Sequence, residues 1–191
     1  AWSAKAKGYL ALSRACCTGG EIRPVKPVVP EQTHILTRFA LSSSGVLQQY
    51  IEERSVFHPY MIADQLLTQG KAIPVNSELE FTRKELKREP ALQWFLEKKN
   101  QKNDGNSITF NFDVRNVYND VVTEAPWASA FVQAYVLKAL VYADKNLDAD
   151  KSKIRDLIPK VANSFRIPVT KGGVASQDAA GFPFFEEVPN A

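Results

Sequence analysis

The strongest constraint on the fold is a nearly uninterrupted apolar stretch between residues 128 and 143. Only Ser129, Gln133 and Lys138 interrupt its run of Ala, Val, Leu, Tyr and Phe. A helix that is apolar on most of its faces is buried among other elements rather than laid on a surface. Pro126 suits the first helical position, where a missing N–H costs nothing, so we expect the helix to open at Pro126-Trp127. The sequence therefore predicts a central helix inside an assembly of helices.

The segment before this helix has a different period. Between residues 107 and 113, Ile108, Phe110 and Phe112 alternate with polar residues, which is typical of a half-buried strand. Asn111 and Asp113 flank Phe112 on the polar side of this strand. We expect both side chains to face a cleft.

Apolar residues at helical spacing predict several further helices. These cover residues 46–51, 58–69, 76–87, 91–99 and 151–165, the last kinked or divided at Pro159. The tail from Gly172 is predicted to be extended. Consecutive helices with short connections form bundles or stacked helix pairs. Three prolines between residues 24 and 30 indicate an extended segment, so residues 1–42 are predicted to be a linker or the remnant of a preceding module.

Charge and composition argue against several classes of ligand. The chain has 191 residues and a net charge of +3, which is too small to favour nucleic acid. The basic residues between 83 and 99 alternate with Glu85, Glu89 and Glu97, which favours a solvated helix face over an anion site. Gly172-Gly173 lacks the spacing of a phosphate-binding loop, so no nucleotide is expected.

The cysteines and histidines are also uninformative about a site. Cys16 and Cys17 are adjacent and cannot bridge to each other without strain. The two histidines, His34 and His58, have no metal-ligand spacing to the cysteines, so no metal is expected. Residues 9–17 are apolar for too few positions to form a membrane span or a good signal peptide.

Three short segments resemble the D-glucuronyl C5-epimerase family. Ala125-Pro126-Trp127-Ala128-Ser129-Ala130, with Gln133 one turn later, resembles the family's Pro-Trp-x-Ser…Gln helix. Phe57-His58-Pro59-Tyr60-Met61-Ile62-Ala63 resembles its Tyr-His-Pro-x-x-Ile-Ala segment. Gly172-Gly173-Val174, followed by Phe184-Phe185-Glu186-Glu187-Val188-Pro189, resembles its Gly-Val and its aromatic-aromatic-Glu-Glu-Tyr-Pro segments. Together these segments span residues 55–190.

The resemblance implies a fold and a domain arrangement. The expected fold class is mainly α, an incomplete α/α toroid of helix pairs with one or two short β insertions, covering residues 43–191. The inner end of such a ring would carry the sugar site. The ring is expected to close with helices beyond residue 191. An incomplete ring would expose apolar helix faces, so a homodimer is one expected arrangement.

The reaction implied by the resemblance needs particular groups. Inverting C5 of a uronic acid removes the proton beside the carboxylate and returns one from the opposite face. Two acid/base groups are needed on opposite faces, with further groups that stabilise the enolate-like carboxylate, and no cofactor is required. The resemblance implies that a glutamate and tyrosines act as acid and base. The predicted catalytic residues are Glu187 and Glu186, with Tyr118 as a further hydroxyl in the strand-to-helix connection.

The predicted substrate-binding residues each have a structural alternative. His58 could contact the substrate or cap its own helix, and Tyr60 could offer a hydroxyl or pack at the rim. Trp127 could stack on a sugar ring or anchor its helix. Ser129 and Gln133 share one helix face, where they could line a polar cleft or bond to nearby carbonyls. The full set is His58, Tyr60, Trp127, Ser129, Gln133, Asn111 and Asp113.

One departure from the family leaves the function open between three alternatives. Val188 stands where the family has a tyrosine, and valine has no transferable proton. The first expectation is an epimerase acting on a uronic-acid-containing polysaccharide, as in heparan sulfate-type glycan biosynthesis. The alternatives are a catalytically inactive glycan-binding module on the same fold and a polysaccharide lyase, which shares the proton-abstraction step.

Overall fold

The computed structural model describes residues 37–51, 53–71, 73, 77–103, 105–118 and 121–185, with the backbone alone for residues 103, 116–118 and 121. All of these lie in one compact unit, residues 36–191. Most of the predicted linker, residues 1–42, is outside the described residues.

The first part of this unit is a four-stranded mixed sheet. Its strand order is β3-β2-β1-β4, with β1 antiparallel to β2, β2 antiparallel to β3, and β1 parallel to β4. The strands are β1 (Arg38–Leu41), β2 (Leu47–Ile51), β3 (Arg54–Phe57) and β4 (Glu78–Leu79).

A serine-glycine turn connects β1 to β2. Gly45 has φ of +80°, the left-handed conformation that glycine adopts without steric cost. The Ser42 hydroxyl accepts a hydrogen bond from the Val46 amide at 3.0 Å, which closes the turn. Leu47 and Phe39 then point into the core. The predicted helix over residues 46–51 is therefore wrong, because this segment is the second strand of a hairpin.

The described residues also form four α-helices, the third of which packs between two of the others. They are α1 (Pro59–Thr68), α2 (Arg88–Leu96), α3 (Ala130–Asn146) and α4 (Lys151–Asn163). Helix α3 packs against both α1 and α4, and α1 also packs against α2. Pro159 lies within α4 and does not divide it. No helix in the described part of the chain is long and apolar enough to span a membrane.

Short elements connect the helices. The hairpins are β5 (Lys102–Asn103) with β6 (Ile108–Thr109), β7 (Asn116–Tyr118) with β8 (Val121–Thr123), and β9 (Ala175–Gln177) with β10 (Pro183–Phe185). Single 3₁₀ turns cover residues 83–85, 98–100, 164–166 and 169–171. Over residues 172–185 the tail forms a turn and the β9–β10 hairpin rather than a helix, as predicted.

The fold class predicted from the sequence is wrong. The described residues form four helices packed with a mixed sheet and three small hairpins, not a mainly α, incomplete α/α toroid. The predicted helix at residues 76–87 is also absent: the described residues there form β4 and a 3₁₀ turn. A capping box occurs between Thr82 and Glu85, at the start of this 3₁₀ turn.

One buried side chain connects the sheet with the helices. Gln65 on α1 is fully buried. Its oxygen accepts a hydrogen bond from the Leu47 amide at 2.8 Å, and its nitrogen donates to the carbonyls of Gly45 and Lys87 at 2.8 and 2.7 Å. This amide therefore satisfies three backbone groups that would otherwise be unpaired. It fixes α1 against the β1–β2 turn and the start of α2.

Candidate functional site

A cleft of about 300 Å³ lies where the end of β3, the end of α2 and the segment after β6 meet. It combines two aromatic side chains with two lysines and several amides. The lining residues are Phe57, Trp94, Lys99, Asn100, Gln101, Lys102, Asn111, Asp113 and Pro126.

Phe57 and Trp94 form the aromatic wall of the cleft. Their ring centroids are 5.9 Å apart at an interplanar angle of 44°. Phe57 is 37% exposed, whereas Trp94 is 7% exposed and packs against Phe95 and Phe110 behind it. The buried Nε1 of Trp94 has no hydrogen-bond partner among the described residues. The wall thus offers an apolar surface to the cleft, and the unpaired indole N–H lies buried away from solvent.

The end of α2 holds the lysine-bearing edge in place. Asn100 donates to the Trp94 carbonyl at 2.8 Å, and Gln101 donates to the Phe95 carbonyl at 2.7 Å. These two amides satisfy carbonyls that the end of a helix leaves unpaired. They thereby fix residues 99–102, in which Lys99 and Lys102 line the cleft.

The two lysines give the cleft a positive edge. Lys99 is exposed and forms an ion pair with Glu97 at 2.9 Å. Lys102 is exposed and has no ion-pair partner within the described ranges. Asp113 is the acidic residue among the lining set, so the lining residues carry a net charge of +1 (two lysines and one aspartate). An anion that enters the cleft therefore meets more positive than negative charge.

Asn111 and Asp113 reach the cleft because of the residue between them. Phe112 pairs with Trp127 in an isolated antiparallel bridge, with hydrogen bonds of 2.7 and 3.2 Å. Neighbouring residues of an extended segment point to opposite sides, so Phe112 enters the core and its neighbours face outward. The buried Oδ1 of Asn111 has no partner among the described groups. The Asp113 carbonyl accepts from Arg54 at 2.7 Å, which holds the segment beside β3.

His58 lies behind this segment rather than in the cleft. It is the N-cap residue of α1 and caps the helix through its backbone carbonyl, which accepts from the Ile62 amide at 3.1 Å, but its side chain makes no capping bond. Its ring meets Phe112 edge-on with centroids 4.6 Å apart. Burial disfavours the charged imidazolium and lowers the pKa of His58 to about 4. His58 is therefore neutral at pH 7 and cannot neutralise a carboxylate.

Tyr60 belongs to an aromatic group on another face of α1. Its ring packs on Phe131 and Tyr135 with centroid distances of 5.7 and 4.7 Å. The Tyr135 hydroxyl donates to the buried carboxylate of Asp64 at 3.3 Å. Burial, and then the charge of Asp64, raise the pKa of Tyr135 to about 12. Tyr135 therefore keeps its proton at neutral pH, and neither tyrosine lines the cleft.

Trp127, Ser129 and Gln133 have structural partners in the core. The Trp127 indole N–H donates to the Val114 carbonyl at 2.8 Å. Ser129 accepts from the Val132 amide at 3.4 Å as the N-cap of α3. Gln133 is fully buried and donates to the Phe110 carbonyl at 2.9 Å. Helix α3 thus begins at Ala130 rather than at Pro126. The side chains of Ser129 and Gln133 both form hydrogen bonds with nearby backbone groups.

Helix α3 is less enclosed than its composition suggested. Its Phe131 side chain is 55% exposed, although Val136, Ala139, Leu140 and Ala143 on the inner face are fully buried. The helix is therefore central on one side and reaches solvent on the other.

The predicted catalytic residues remain predictions. Tyr118 is in β7, where the backbone alone is described. Glu186 and Glu187 lie outside the described residues, directly after β10. No group of three or more His, Cys, Asp or Glu side chains with metal-binding geometry occurs in the described part of the chain.

Sequence reasoning missed the aromatic wall and the lysine edge. In the sequence, Phe57 stands out only as part of a family-like segment, and the basic residues near Lys99 favour a solvated helix face. A signal was available, because Trp94 near a helix end is followed by Lys98-Lys99-Asn100-Gln101-Lys102. An aromatic residue beside a basic connection is a combination that suits anionic sugars.

Part of the chain matches a known protein family. Residues 101–191 match the family model described as D-glucuronyl C5-epimerase C-terminus. A search of curated proteins found no match. The matched region contributes Gln101, Lys102, Asn111, Asp113 and Pro126 to the cleft. Residues 101–191 of this chain are thus similar to the C-terminal region of D-glucuronyl C5-epimerases, as the resemblance of segments 125–133 and 172–189 predicted.

Proposed function

We propose that this protein binds a uronic acid residue of an acidic polysaccharide in the cleft and inverts its C5 by removing and returning a proton. The substrate class is a uronate polymer, such as a heparan sulfate-type glycan. The observation that carries the proposal is the meeting of an aromatic wall and two lysines in one cleft. Five of the nine lining residues, Lys102 among them, lie in the region that matches the epimerase family.

Each feature of the cleft has a role in this proposal. The apolar face of a sugar ring packs on Phe57 and Trp94, as pyranose rings do on aromatic side chains. The uronate carboxylate meets Lys99 and Lys102. Negative charge grows on this carboxylate when the C5 proton leaves, so positive groups placed there stabilise the transition state more than the ground state. The side-chain amide of Asn111, which lines the cleft, can bond to sugar hydroxyls.

The acid/base groups of the proposal come from two places. Asp113 is the carboxylate that the described residues place in the cleft. Glu187, Glu186 and Tyr118 are the further candidates, carried over from the sequence. Inversion requires two such groups on opposite faces of the ring, so one of these candidates must face Asp113 across the sugar if the aspartate takes part.

A second candidate function is a glycan-binding module without catalytic activity. The specific observation in its favour is Val188, which occupies the position of a family tyrosine and cannot transfer a proton. The same cleft would then bind the uronate polymer and leave its C5 configuration unchanged.

Incubation with a glucuronate polymer in heavy water distinguishes these functions. Deuterium at C5 together with inverted sugar supports the epimerase. Binding without exchange supports the inactive module, new unsaturated ends identify a lyase, and absence of binding overturns the use of the cleft altogether.

Matched variants identify the groups that carry the exchange. Asp113→Asn and Glu187→Gln should each reduce the exchange strongly, because both changes remove a proton acceptor and keep the side-chain shape. Asp148→Asn is the control, since this exposed aspartate lies outside the cleft. Unchanged exchange in one of the two variants removes that residue from the reaction.

A further inference from the structure

A second cavity, of about 460 Å³, shares the lining residue Gln101 with the cleft. Leu96, Ile108 and Leu157 are its apolar residues, and Lys98, Lys153 and Lys160 are its basic ones. Ile108 and Leu157 are almost completely buried, whereas the lysines are at or near the surface. The cavity therefore has an apolar floor and a basic rim.

The helical repeat of α4 builds one side of this cavity. Lys153, Asp156, Leu157 and Lys160 are spaced i, i+3, i+4 and i+7, so they lie along one face of the helix. The same face places Leu157 inward and the charged residues at the opening. Lys98 also lines the cavity and lies in the 3₁₀ turn that follows α2.

The 98–102 segment joins the second cavity to the cleft. Gln101 lines both, and its hydrogen bond to the Phe95 carbonyl holds it between them. Lys98 lines the second cavity, whereas Lys99 and Lys102 line the cleft. A polymer that extends from the cleft past Gln101 would thus meet the lysines of the second cavity after those of the cleft.

The lysines of the second cavity are available to an anion. Lys98 has no ion-pair partner within the described ranges. Lys153 pairs with Asp150 at 3.2 Å and Lys160 pairs with Asp156 at 2.5 Å, and both pairs are at least partly exposed. Ion pairs at the surface stabilise a protein little, so a polyanion can compete for these lysines at small cost.

We propose that the second cavity is an extension subsite, which binds further anionic sugars of the polysaccharide whose uronate lies in the cleft. This inference rests on the proposed function for the identity of the polymer. The apolar floor suits the C–H faces of sugar rings, and the lysines suit carboxylate or sulfate groups. An acidic polysaccharide fits better than single-stranded nucleic acid, which needs aromatic side chains for base stacking, and the cavity lining has none.

The test compares long and short ligands on two variants of equal charge. One variant carries Lys98→Gln, Lys153→Gln and Lys160→Gln, and the control carries Lys71→Gln, Lys84→Gln and Lys145→Gln, which are exposed lysines outside both cavities. The ligands are a long heparan sulfate-type chain and a tetrasaccharide cut from it. We expect the first variant to bind the long chain about tenfold more weakly, because three exposed charge contacts are lost.

Tetrasaccharide binding should change less than twofold in the first variant, because the shorter ligand occupies the cleft alone. The control variant should bind both ligands like the unmodified protein. The first variant should also show a shallower dependence of binding on salt, since fewer counterions are released.

Two results would overturn the extension subsite: equal loss of long-chain affinity in both variants, or no loss in either. A single-stranded DNA of matched charge that binds the cavity as tightly as the polysaccharide would overturn the choice of polymer. Failure of the proposed function has a different signature. In that case the long chain shows no C5 exchange in heavy water, although its affinity still depends on Lys98, Lys153 and Lys160.

Discussion

The rings of Phe112 and Trp127 stack with centroids 4.2 Å apart, while their backbones exchange two hydrogen bonds. His58 meets the same Phe112 ring edge-on. Two of the three family-like segments, those containing His58 and Trp127, therefore converge on one core residue. Their role is to fix the extended segment whose outward side chains, Asn111 and Asp113, line the cleft.

Two buried tryptophans should respond differently to the same substitution. Trp127 loses its hydrogen bond to the Val114 carbonyl when it is changed to Phe, and that carbonyl remains without the indole donor. Trp94 has no such partner among the described residues. We expect Trp127→Phe to lower the free energy of unfolding by about 1–2 kcal/mol more than Trp94→Phe, as measured by urea denaturation.

Binding should show the reverse order for these two variants. Trp94→Phe should weaken binding of a uronate oligosaccharide, because Trp94 forms the wall of the cleft. Trp127→Phe should leave binding close to normal at temperatures where the protein is folded. Equal effects of both substitutions on binding would contradict the assignment of Trp127 to the core.

The adjacent glycines after α4 should differ in their tolerance of alanine. A Cβ on Gly173 would lie 2.0 Å from the Ile167 carbonyl oxygen, so the backbone would have to move. Gly172 has φ of +81° but nothing within 4 Å of its added Cβ. We expect Gly173→Ala to lower the free energy of unfolding by about 2–3 kcal/mol. Gly172→Ala should lower it by about 1 kcal/mol, the cost of the left-handed conformation.

Thermal and chemical denaturation of both glycine variants checks this ranking. The Gly-Gly-Val segment is then explained by packing, since Val174 is fully buried against Ala128, Ala130 and Phe165. Equal losses of unfolding free energy in the two variants would show that the short distance between position 173 and the Ile167 carbonyl does not set the cost of an added Cβ.

The buried His58 should make stability depend on acid. Its pKa is about 4 in the folded protein and about 6.5 in the unfolded chain, so the unfolded state binds more protons between these values. Stability is therefore lost as pH falls from 6.5 to 4, by roughly 3 kcal/mol in total for this difference in pKa.

Two measurements follow the titration of His58. The NMR shift of its ring C–H should have a midpoint near pH 4, and unfolding experiments on His58→Gln should show a smaller loss of stability between pH 6.5 and 4. A midpoint near 6.5 would mean that the imidazole is solvated.

The parts of the fold that could be predicted have strong local signals. His58-Pro59 at the start and Gly70 at the end marked α1, and the long apolar run marked α3. The β2–β3 hairpin could not be predicted in this way. Its turn includes Glu53 with φ of +62°, where the usual Gly or Asn signal is absent. Short apolar runs such as residues 46–51 fit a helix and a strand equally well.

The site was only partly predictable, for a related reason. Strict alternation around Phe112 sufficed to place Asn111 and Asp113 on an outward side, and the structure brings both into the cleft. Ser129 and Gln133 are predicted to share a helix face, but the sequence does not show that Gln133 donates a hydrogen bond to the Phe110 carbonyl. Contacts between distant segments, such as Phe57 with Trp94, have no local sequence signature.

In the proposed function, Lys99 and Lys102 bind the carboxylate of a uronate held against Phe57 and Trp94. This contact can be measured by isothermal titration of a glucuronate tetrasaccharide and its carboxyl-reduced counterpart into the unmodified protein and a Lys99→Gln, Lys102→Gln variant. We expect the reduced sugar to bind about tenfold more weakly than the acid in the unmodified protein, and both sugars to bind alike in the variant. Equal affinity of the two sugars for the unmodified protein would contradict the claim.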